Sequence, residues 1–321
     1  MRRIAAALLV PLTACVALAG CGSSGSGASQ NANAAVKVTG TFDKLPKVTI
    51  PAQTPGSKLF VSTPIKGSGA ALKTGDAALA NVAVYKWSGK KNSLVDSTFT
   101  SGPQIIPSQM GLTGLVTALK GATMGSRIVA VLPPKDAYGS QGESQLGVTG
   151  SDTLVWVIDL IQQYANTASA TGSQVSTGGG ALPKVTAATG QAPVITVPKG
   201  SPPAKLSVTT LIKGSGPKLA KGDTVVAQYV GSIWRTGKVF SSTWPSSSNT
   251  GGAPFSFQLG SNVIQGWSDG LAGVPVGSRV MLVIPPSLGY GPSGGQSSAG
   301  IQKTDTLVFV IDVLGYKTAA N

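Results

Sequence analysis

An internal repeat constrains the fold of this chain more than any other feature of its 321 residues. Pro-Ile-Lys-Gly-Ser-Gly at 64–69 recurs as Leu-Ile-Lys-Gly-Ser-Gly at 211–216. Asp-Thr-Leu-Val-Trp-Val-Ile-Asp at 152–159 recurs as Asp-Thr-Leu-Val-Phe-Val-Ile-Asp at 305–312. An interval of about 150 residues is the length of a whole domain, whereas solenoid units are far shorter. The repeat therefore predicts two domains of the same fold.

Two polar stretches, at 22–35 and 165–180, separate these copies from each other and from the start of the chain. They are rich in Gly, Ser, Ala, Asn and Thr and show no hydrophobic periodicity, which is typical of flexible tethers. The predicted parts of the chain are a lipoprotein signal peptide at 1–20, a flexible tether at 21–39, a first domain at 40–164, a linker at 165–183 and a second domain at 184–318.

Short strands dominate each copy. In the second copy, runs rich in β-branched and aromatic residues and bounded by Gly, Pro or Ser predict strands at 224–230, 255–259, 279–284 and 306–314. Ile264, Trp267 and Leu271 recur at helical spacing, which predicts a helix over 263–272 that ends before Gly273. The first copy repeats this spacing with Leu112, Leu115, Val116 and Leu119. We expect an α+β fold in which a curved antiparallel sheet wraps around one short helix in each domain.

Composition excludes several kinds of chemistry. The chain has no His, so Ser–His–Asp triads and His metal sites are absent, and its two cysteines are too few for a thiolate zinc site. We expect no cofactor. The net charge is +14, but the lysines are scattered, so the sequence favours solubility and weak attraction to anionic lipid or wall polymer over nucleic-acid binding.

The start of the chain has the pattern of an export signal. Arg2 and Arg3 precede an apolar stretch at 4–18, and Leu-Ala-Gly-Cys at 18–21 resembles the bacterial lipobox. The pattern predicts lipidation of Cys21 and an exported protein anchored to the outer face of the cell membrane, because two or more acyl chains give stable anchoring. The alternative is ordinary cleavage near Ala19 with Cys21 left as a free thiol.

Several motifs of the second copy together resemble the FKBP-type peptidyl-prolyl cis–trans isomerases, the macrolide-binding immunophilins. The resemblance covers 206–316 well and 59–162 weakly. Its motifs are Gly-Lys-Val-Phe-Ser-Ser at 237–242, Pro-Phe-Ser-Phe-Gln-Leu-Gly at 254–260, Val-Ile-Gln-Gly-Trp at 263–267 and Gly-Tyr-Gly at 289–291.

The resemblance implies an apolar pocket that binds the prolyl ring of X–Pro segments in unfolded or exported polypeptides, and that macrolide inhibitors could occupy. The residues that it assigns to the pocket are Tyr229, Phe240, Phe255, Val263, Ile264, Trp267, Tyr290, Ile301 and Phe309. It makes Trp267 the floor, and it assigns carbonyl binding to the Tyr290 hydroxyl and the Ile264 N–H. The alternative is that these aromatic residues only fill a core between sheet and helix.

Some residues depart from the family pattern. Ser241 stands where the family commonly has Asp, and 291–300 lacks bulky residues, so we expect reduced or selective isomerase activity. The first copy departs further, which predicts a degenerate domain with a client-binding or spacing role. Its residues near the pocket positions are Val82, Val95, Pro103, Ile105, Leu115, Tyr138 and Trp156, with Asp96 near the place of the missing acid.

Three functions are compatible with the sequence. The first is an exported isomerase that assists proline-limited folding. The second is a non-enzymatic chaperone or ligand-binding module that uses the same pocket. The third, a solute-binding lipoprotein, is supported by the lipobox alone and fits the repeat poorly.

Overall fold

The computed structural model describes residues 32–246 and 252–319. The predicted signal peptide at 1–20, Cys21 and most of the 21–39 tether lie outside the described residues. Within the described ranges, no helix is long and apolar enough to span a bilayer.

The N-terminal half of the described chain is built from strands and one α-helix. Its strands are β1 (Lys37–Thr39), β2 (Lys47–Thr49), β3 (Phe60–Ile65), β4 (Ala77–Ser88), β5 (Lys91–Ser97), β6 (Gln104–Pro107), β7 (Arg127–Leu132) and β8 (Thr153–Tyr164). Helix α1 spans Thr113–Leu119.

The C-terminal half repeats this order with additional short strands. Its strands are β9 (Ser173–Gln174), β10 (Lys184–Thr186), β11 (Val194–Thr196), β12 (Ser207–Lys213), β13 (Thr224–Ile233), β14 (Val239–Ser242), β15 (Phe255–Gln258), β16 (Arg279–Ile284), β17 (Gly295–Gln296), β18 (Ile301–Gln302) and β19 (Leu307–Lys317). Helix α2 spans Gln265–Leu271. Short 3₁₀ helices lie at Asn33–Ala35, Pro134–Asp136, Gly139–Gln141, Ser144–Leu146, Pro286–Leu288 and Ser297–Ala299.

Each half forms one main antiparallel sheet, and the two sheets share one topology. The N-terminal order is β3-β7-β8-β4-β5, with β6 paired to β4. The C-terminal order is β14-β13-β19-β16-β12-β9, with β15 paired to β13. Val82 pairs with Ile158 in the first sheet and Tyr229 with Ile311 in the second, so the repeated motifs occupy equivalent positions.

The inner face of the C-terminal sheet packs against α2 through two helix glycines. A Cβ added to Gly266 would lie 2.5 Å from Ile284, and one added to Gly270 would lie 2.7 Å from Leu282. The helix backbone can therefore approach β16 closely. Trp267 lies between these two glycines in the sequence. The close contact therefore fixes the distance of Trp267 from the sheet.

The outer faces of both sheets are covered by hairpins that the sequence analysis did not predict. Hairpin β1–β2 covers the N-terminal sheet through a cluster that includes Val36, Ile50, Trp87 and Val129. Hairpin β10–β11 covers the C-terminal sheet in the same way. The central strands are consequently buried on both faces, and each domain has three layers: helix, sheet and hairpin.

A buried ion pair joins neighbouring strands in each sheet. Arg127 on β7 pairs with Asp159 on β8 at 2.7 Å, and both side chains are at most 1% exposed. Arg279 on β16 pairs with Asp312 on β19, with one N–O distance of 2.7 Å. Arg127 also donates to the carbonyls of residues 40, 41 and 44, and thereby attaches the loop of the β1–β2 hairpin to the sheet.

The predicted flexible segments are more ordered than their composition suggested. Within the predicted linker 165–183, β9 pairs with β12, and the backbone N–H of Gly172 donates to the Gly277 carbonyl. A Cβ at Gly172 would lie 2.0 Å from the Lys213 carbonyl, so this glycine permits close backbone contact rather than flexibility. Asn33, in the predicted tether 21–39, is also buried and bonds to Gly56. The prediction of free tethers is therefore wrong for these described parts.

Candidate functional site

The C-terminal domain contains a cavity of about 610 Å³ between its sheet, helix α2 and the loop that follows β16. Aromatic and aliphatic side chains dominate the wall, and charged residues are absent from the described part of it. The lining residues are Tyr229, Phe240, Ser241, Phe255, Ser261, Asn262, Val263, Ile264, Trp267, Tyr290, Gln296, Ala299 and Phe309.

Trp267 borders the cavity and is surrounded by other rings. Its centroid lies 5.2 Å from that of Tyr229 and 5.1 Å from that of Phe309, at interplanar angles of 84° and 88°. The neighbouring rings therefore stand as walls beside the indole, in the edge-to-face geometry that aromatic pairs prefer. Trp267 is 4% exposed, so most of the indole is packed and the remainder faces the cavity.

Two features of the sheet place the outer aromatic wall. Phe240 lies at a β-bulge, where the pairing of β13 with β14 shifts between Gly231 and Ser232, and bulges redirect side chains. A Cβ at Gly231 would lie within 2.9 Å of both Phe240 and Phe309. The absence of a side chain at Gly231 lets these two rings pack edge to face at 5.5 Å.

The polar side chains in the described lining of the cavity are uncharged: they are two tyrosines, Ser241, Ser261, Asn262 and Gln296. The hydroxyls of Tyr229 and Ser241 share a hydrogen bond of 2.9 Å. Burial raises the pKa of the Tyr290 hydroxyl, and the nearby Tyr229 raises that pKa further. Tyr290 therefore stays protonated at neutral pH and can donate a hydrogen bond.

The helix start supplies a further backbone group. Ile264 is the N-cap residue of α2, and its carbonyl accepts from the N–H of Trp267. Among the described residues, its own N–H donates no hydrogen bond to the protein.

The loop between Tyr290 and Ile301 closes one side of the cavity. Asp305 accepts a hydrogen bond of 2.8 Å from the N–H of Gln302 and pairs with Arg235, whose guanidinium lowers the pKa of Asp305. These contacts hold the short β17–β18 pair. Gln296 on β17 and Ala299 in the 3₁₀ helix between the two strands line the cavity.

The structure brings eight of the nine predicted site residues to one cavity. The exception is Ile301, which does not line it. Ile301 is 3% exposed and belongs to the hydrophobic core, because its strand position directs it beneath the loop. Sequence reasoning missed Ser261, Asn262, Gln296 and Ala299, which lie next to recognised motifs but carry no aromatic signal of their own.

The N-terminal copy has the same frame of paired strands as the C-terminal copy, but it lacks most of the aromatic residues that line the cavity. Its register places Asp96 opposite Val84, as Ser241 lies opposite Gly231, so Asp96 does occupy the position of the missing acid. The register also corrects one prediction. Gln104 and Ile106, rather than Pro103 and Ile105, stand at the two Phe positions, because the loop before β6 shifts the alignment by one residue.

Helix α1 carries Leu115 at the position of Trp267. Leu115 is fully buried in the N-terminal core, together with Val82 and Trp156. The bridge between Glu143 and Val148 matches the β17–β18 pairing of Gln296 with Ile301, which places Leu146 where Ala299 lies. Leu146 packs against the same core.

Comparison with known proteins gives the same family as the motifs. The sequence model described as "FKBP-type peptidyl-prolyl cis-trans isomerase" matches residues 216–314. A "FK506-binding protein" of Streptomyces anulatus is 39% identical over 123 residues, which are 38% of this chain and 94% of that protein. A "Probable FK506-binding protein" of Corynebacterium glutamicum is 37% identical over 38% of this chain and 96% of its own length. The chain therefore belongs to the family of FKBP-type peptidyl-prolyl cis-trans isomerases.

A longer relative and a solved structure match over a smaller share of their length. The "FKBP-type peptidyl-prolyl cis-trans isomerase FkpA" of Escherichia coli is 41% identical over 33% of this chain and 35% of its own sequence. Its crystal structure aligns at 37% identity over 36% of this chain and 49% of that chain, with a TM-score of 0.31. The chain thus spans about half of that solved structure.

Proposed function

We propose that the C-terminal domain isomerises X–Pro peptide bonds in unfolded or exported polypeptides, with the prolyl ring held on Trp267. The observation that carries this proposal is the uncharged aromatic cavity, which lies within the segment matched by the family. The FK506-binding relatives support a second expectation, that macrolide inhibitors compete for the same cavity.

The cavity is suited to this reaction because rotation about the amide needs no bond to be made or broken. The barrier of about 18–20 kcal/mol reflects the resonance that a planar amide loses on twisting. The twisted amide has less charge separation than the planar one, so an apolar environment favours it relative to water. The Tyr290 hydroxyl and the Ile264 N–H are two of the donors available to the carbonyls of the substrate. No cofactor takes part in this mechanism.

The proposal is tested by a protease-coupled assay of a proline tetrapeptide with Trp267→Ala, and with Leu115→Ala as its matched control. Both substitutions truncate the same helix position, and each costs about 2–5 kcal/mol of stability. We expect Trp267→Ala to lower kcat/KM by roughly 100-fold, since one well-placed contact contributes on the order of 3 kcal/mol. Leu115→Ala should leave the rate unchanged. A folded Trp267→Ala protein with wild-type activity would contradict the proposal.

A second candidate is a non-enzymatic chaperone that binds apolar segments in the same cavity. Ser241 favours it, because the acid that the family commonly places there is missing. Aggregation of an unfolded protein, measured beside the isomerase rate, separates the two. A wild-type protein that suppresses aggregation without accelerating isomerisation would establish the chaperone and exclude the enzyme.

We further propose that the protein acts outside the cytoplasm, anchored to the membrane through Cys21. The proposal is supported by the lipobox at 18–21 and the charged, apolar segment before it. Labelled fatty acid should enter the wild-type protein and fail to enter Cys21→Ala. Equal labelling of both would disprove the anchor.

A further inference from the structure

A second cavity, of about 480 Å³, lies between the two domains beside the aromatic pocket. One wall is the 101–107 segment of the N-terminal domain, which includes β6. The opposite wall is the 253–258 segment of the C-terminal domain, which includes β15. Phe255 and Asn262 line both this cavity and the aromatic pocket. The two spaces are therefore neighbours, and we call the second one the interdomain groove.

Phe255 is the wall that the two spaces share. Its ring stacks on Phe257 at 5.6 Å and lies edge-on to Tyr229 at 6.1 Å. Phe255 is nevertheless 40% exposed, unlike the deeply buried Phe257 and Phe309. A fixed, exposed aromatic ring between two cavities offers apolar contact to a ligand that extends from one cavity into the other.

Direct contacts between the domains hold the walls of the groove in place. The backbone N–H of Ile105 donates a hydrogen bond of 2.9 Å to the Ser256 hydroxyl. Leu79, Tyr164 and Val226 form a buried apolar cluster across the domain boundary. Lys317 also forms an ion pair with Asp43. These contacts between the domains consequently fix the two walls of the groove relative to each other.

The chemistry of the groove fits a neutral polypeptide. Its described lining contains no Lys, Arg, Asp or Glu, although the chain carries a net charge of +14. Apolar surface from Ile105 and Pro107 alternates with the side-chain amides of Gln104 and Gln258. Amides pair well with peptide groups, whereas an anionic ligand would find no counter-charge.

The backbone of the C-terminal wall adds to this fit. Within the described residues, β15 pairs with β13 alone, so it is an edge strand. On β6 the Ile105 N–H is already bonded to the Ser256 hydroxyl and Pro107 has no N–H, so β15 is the strand whose edge offers backbone groups to an extended peptide.

We infer that the interdomain groove binds the polypeptide segment that flanks the substrate proline, so that the N-terminal domain forms part of the substrate site. This inference rests on the proposed function, because it places the proline in the neighbouring pocket. A tetrapeptide is held by the pocket alone, whereas a long unfolded chain reaches the groove as well.

The test uses the full chain with Gln104→Arg, which adds bulk and charge to the groove. Gln104 is exposed and lines the groove without lining the aromatic pocket, so the variant should fold. Gln109→Arg is the matched control: it makes the same change at an exposed position outside the groove. Each protein is assayed on a proline tetrapeptide and on an unfolded protein whose refolding is limited by prolyl isomerisation.

We expect Gln104→Arg to raise KM for the unfolded protein by roughly tenfold, the effect of losing one good contact site. Its rate on the tetrapeptide and both rates of Gln109→Arg should match wild type. Wild-type KM for the unfolded protein in Gln104→Arg would overturn the inference. So would an equal loss on both substrates, because the groove would then not act separately from the pocket. A wild-type protein that accelerates neither reaction would instead disprove the proposed function.

A second readout locates the bound segment directly. A proline peptide that carries a benzophenone side chain several residues from the proline should crosslink to the 101–107 segment. The crosslink should weaken strongly in Trp267→Ala, which loses the anchor for the proline. Crosslinking confined to the C-terminal domain would also overturn the inference.

Discussion

The N-terminal and C-terminal domains share strand order, register, a buried ion pair and an outer hairpin, but they differ at the helix. Trp267 on α2 borders a cavity of about 610 Å³, whereas Leu115 at the same position of α1 is fully buried. Ala299 lines that cavity, and its counterpart Leu146 packs against the N-terminal core. In the N-terminal domain, the smaller helix residue Leu115 is thus accompanied by the larger loop residue Leu146.

The comparison shows that the frame and the pocket are separable. The frame depends on strand pairing and on buried residues that both copies keep. The pocket depends on a few side chains that face the helix, and these can change while the core remains filled. Val95 and Gln104 replace Phe240 and Phe255 in the same way, at equivalent positions of the two sheets.

The largest expected effect is the loss of stability when the buried ion pair of either sheet is broken, and it compares the two domains directly. We expect Arg127→Met to lower the free energy of unfolding of the N-terminal domain by about 3–5 kcal/mol, because Asp159 stays buried without its counter-charge. Arg279→Met should cost less in the C-terminal domain, since within the described ranges only Arg127 of the two also donates to backbone carbonyls, those of residues 40, 41 and 44. Urea unfolding gives the free energies.

Hydrogen exchange localises the damage in each of these variants. The β1–β2 hairpin should lose protection in Arg127→Met, while the N–H groups near Ala170, which donates to Asp312, should lose it in Arg279→Met. If Arg279→Met proves the more destabilising change, the extra backbone contacts of Arg127 contribute little.

The strands and helices of this frame were largely predictable from sequence. Their apolar runs end at Gly or Pro, and the predicted strand at 279–284 agrees with β16 (Arg279–Ile284). The outer hairpins were missed because each strand is three residues long, although Lys-Val-Thr at 37–39 recurs at 184–186. That second repeat was the available signal.

The site was less completely predictable. Six aromatic residues and the aliphatic Val263 and Ile264 marked eight lining positions through their motifs, but small residues such as Ala299 line a cavity without any pattern of their own. The interdomain groove could not be predicted at all, because it depends on how two separately folded sheets pack.

A smaller effect tests whether the facing loop controls access to the pocket. We expect Ala299→Leu, which copies Leu146, to lower kcat/KM for a proline tetrapeptide by roughly tenfold, because the added side chain occupies space in the cavity. The reciprocal Leu146→Ala should leave activity unchanged and cost about 1–3 kcal/mol of stability, as expected for truncation of a partly buried Leu. The isomerase assay and thermal unfolding check both. Full activity in a folded Ala299→Leu protein would show that the loop does not limit the pocket.

The smallest expected effect concerns the acid at the end of β5, which the N-terminal copy keeps and the C-terminal copy lacks. Ser241→Asp would give the Tyr229 hydroxyl a charged acceptor in place of the Ser241 hydroxyl, which now lies 2.9 Å away. Charge-assisted hydrogen bonds are about twice as strong as neutral ones, so we expect kcat/KM to rise by roughly two- to fivefold. Asp96→Ser, the reverse change in the other domain, should have no effect on activity.

The pH dependence of Ser241→Asp distinguishes a hydrogen-bond effect from a change of shape. A carboxylate that accepts from Tyr229 is favoured in its charged form, so the gain should be present near neutral pH and lost as the pH falls and the carboxyl protonates. The wild-type rate should not show this acid loss, because Ser241 does not titrate and Tyr290, whose pKa burial raises, remains protonated. A gain that persists unchanged at acid pH would mean that the shape of the Asp side chain, and not its charge, improves the pocket.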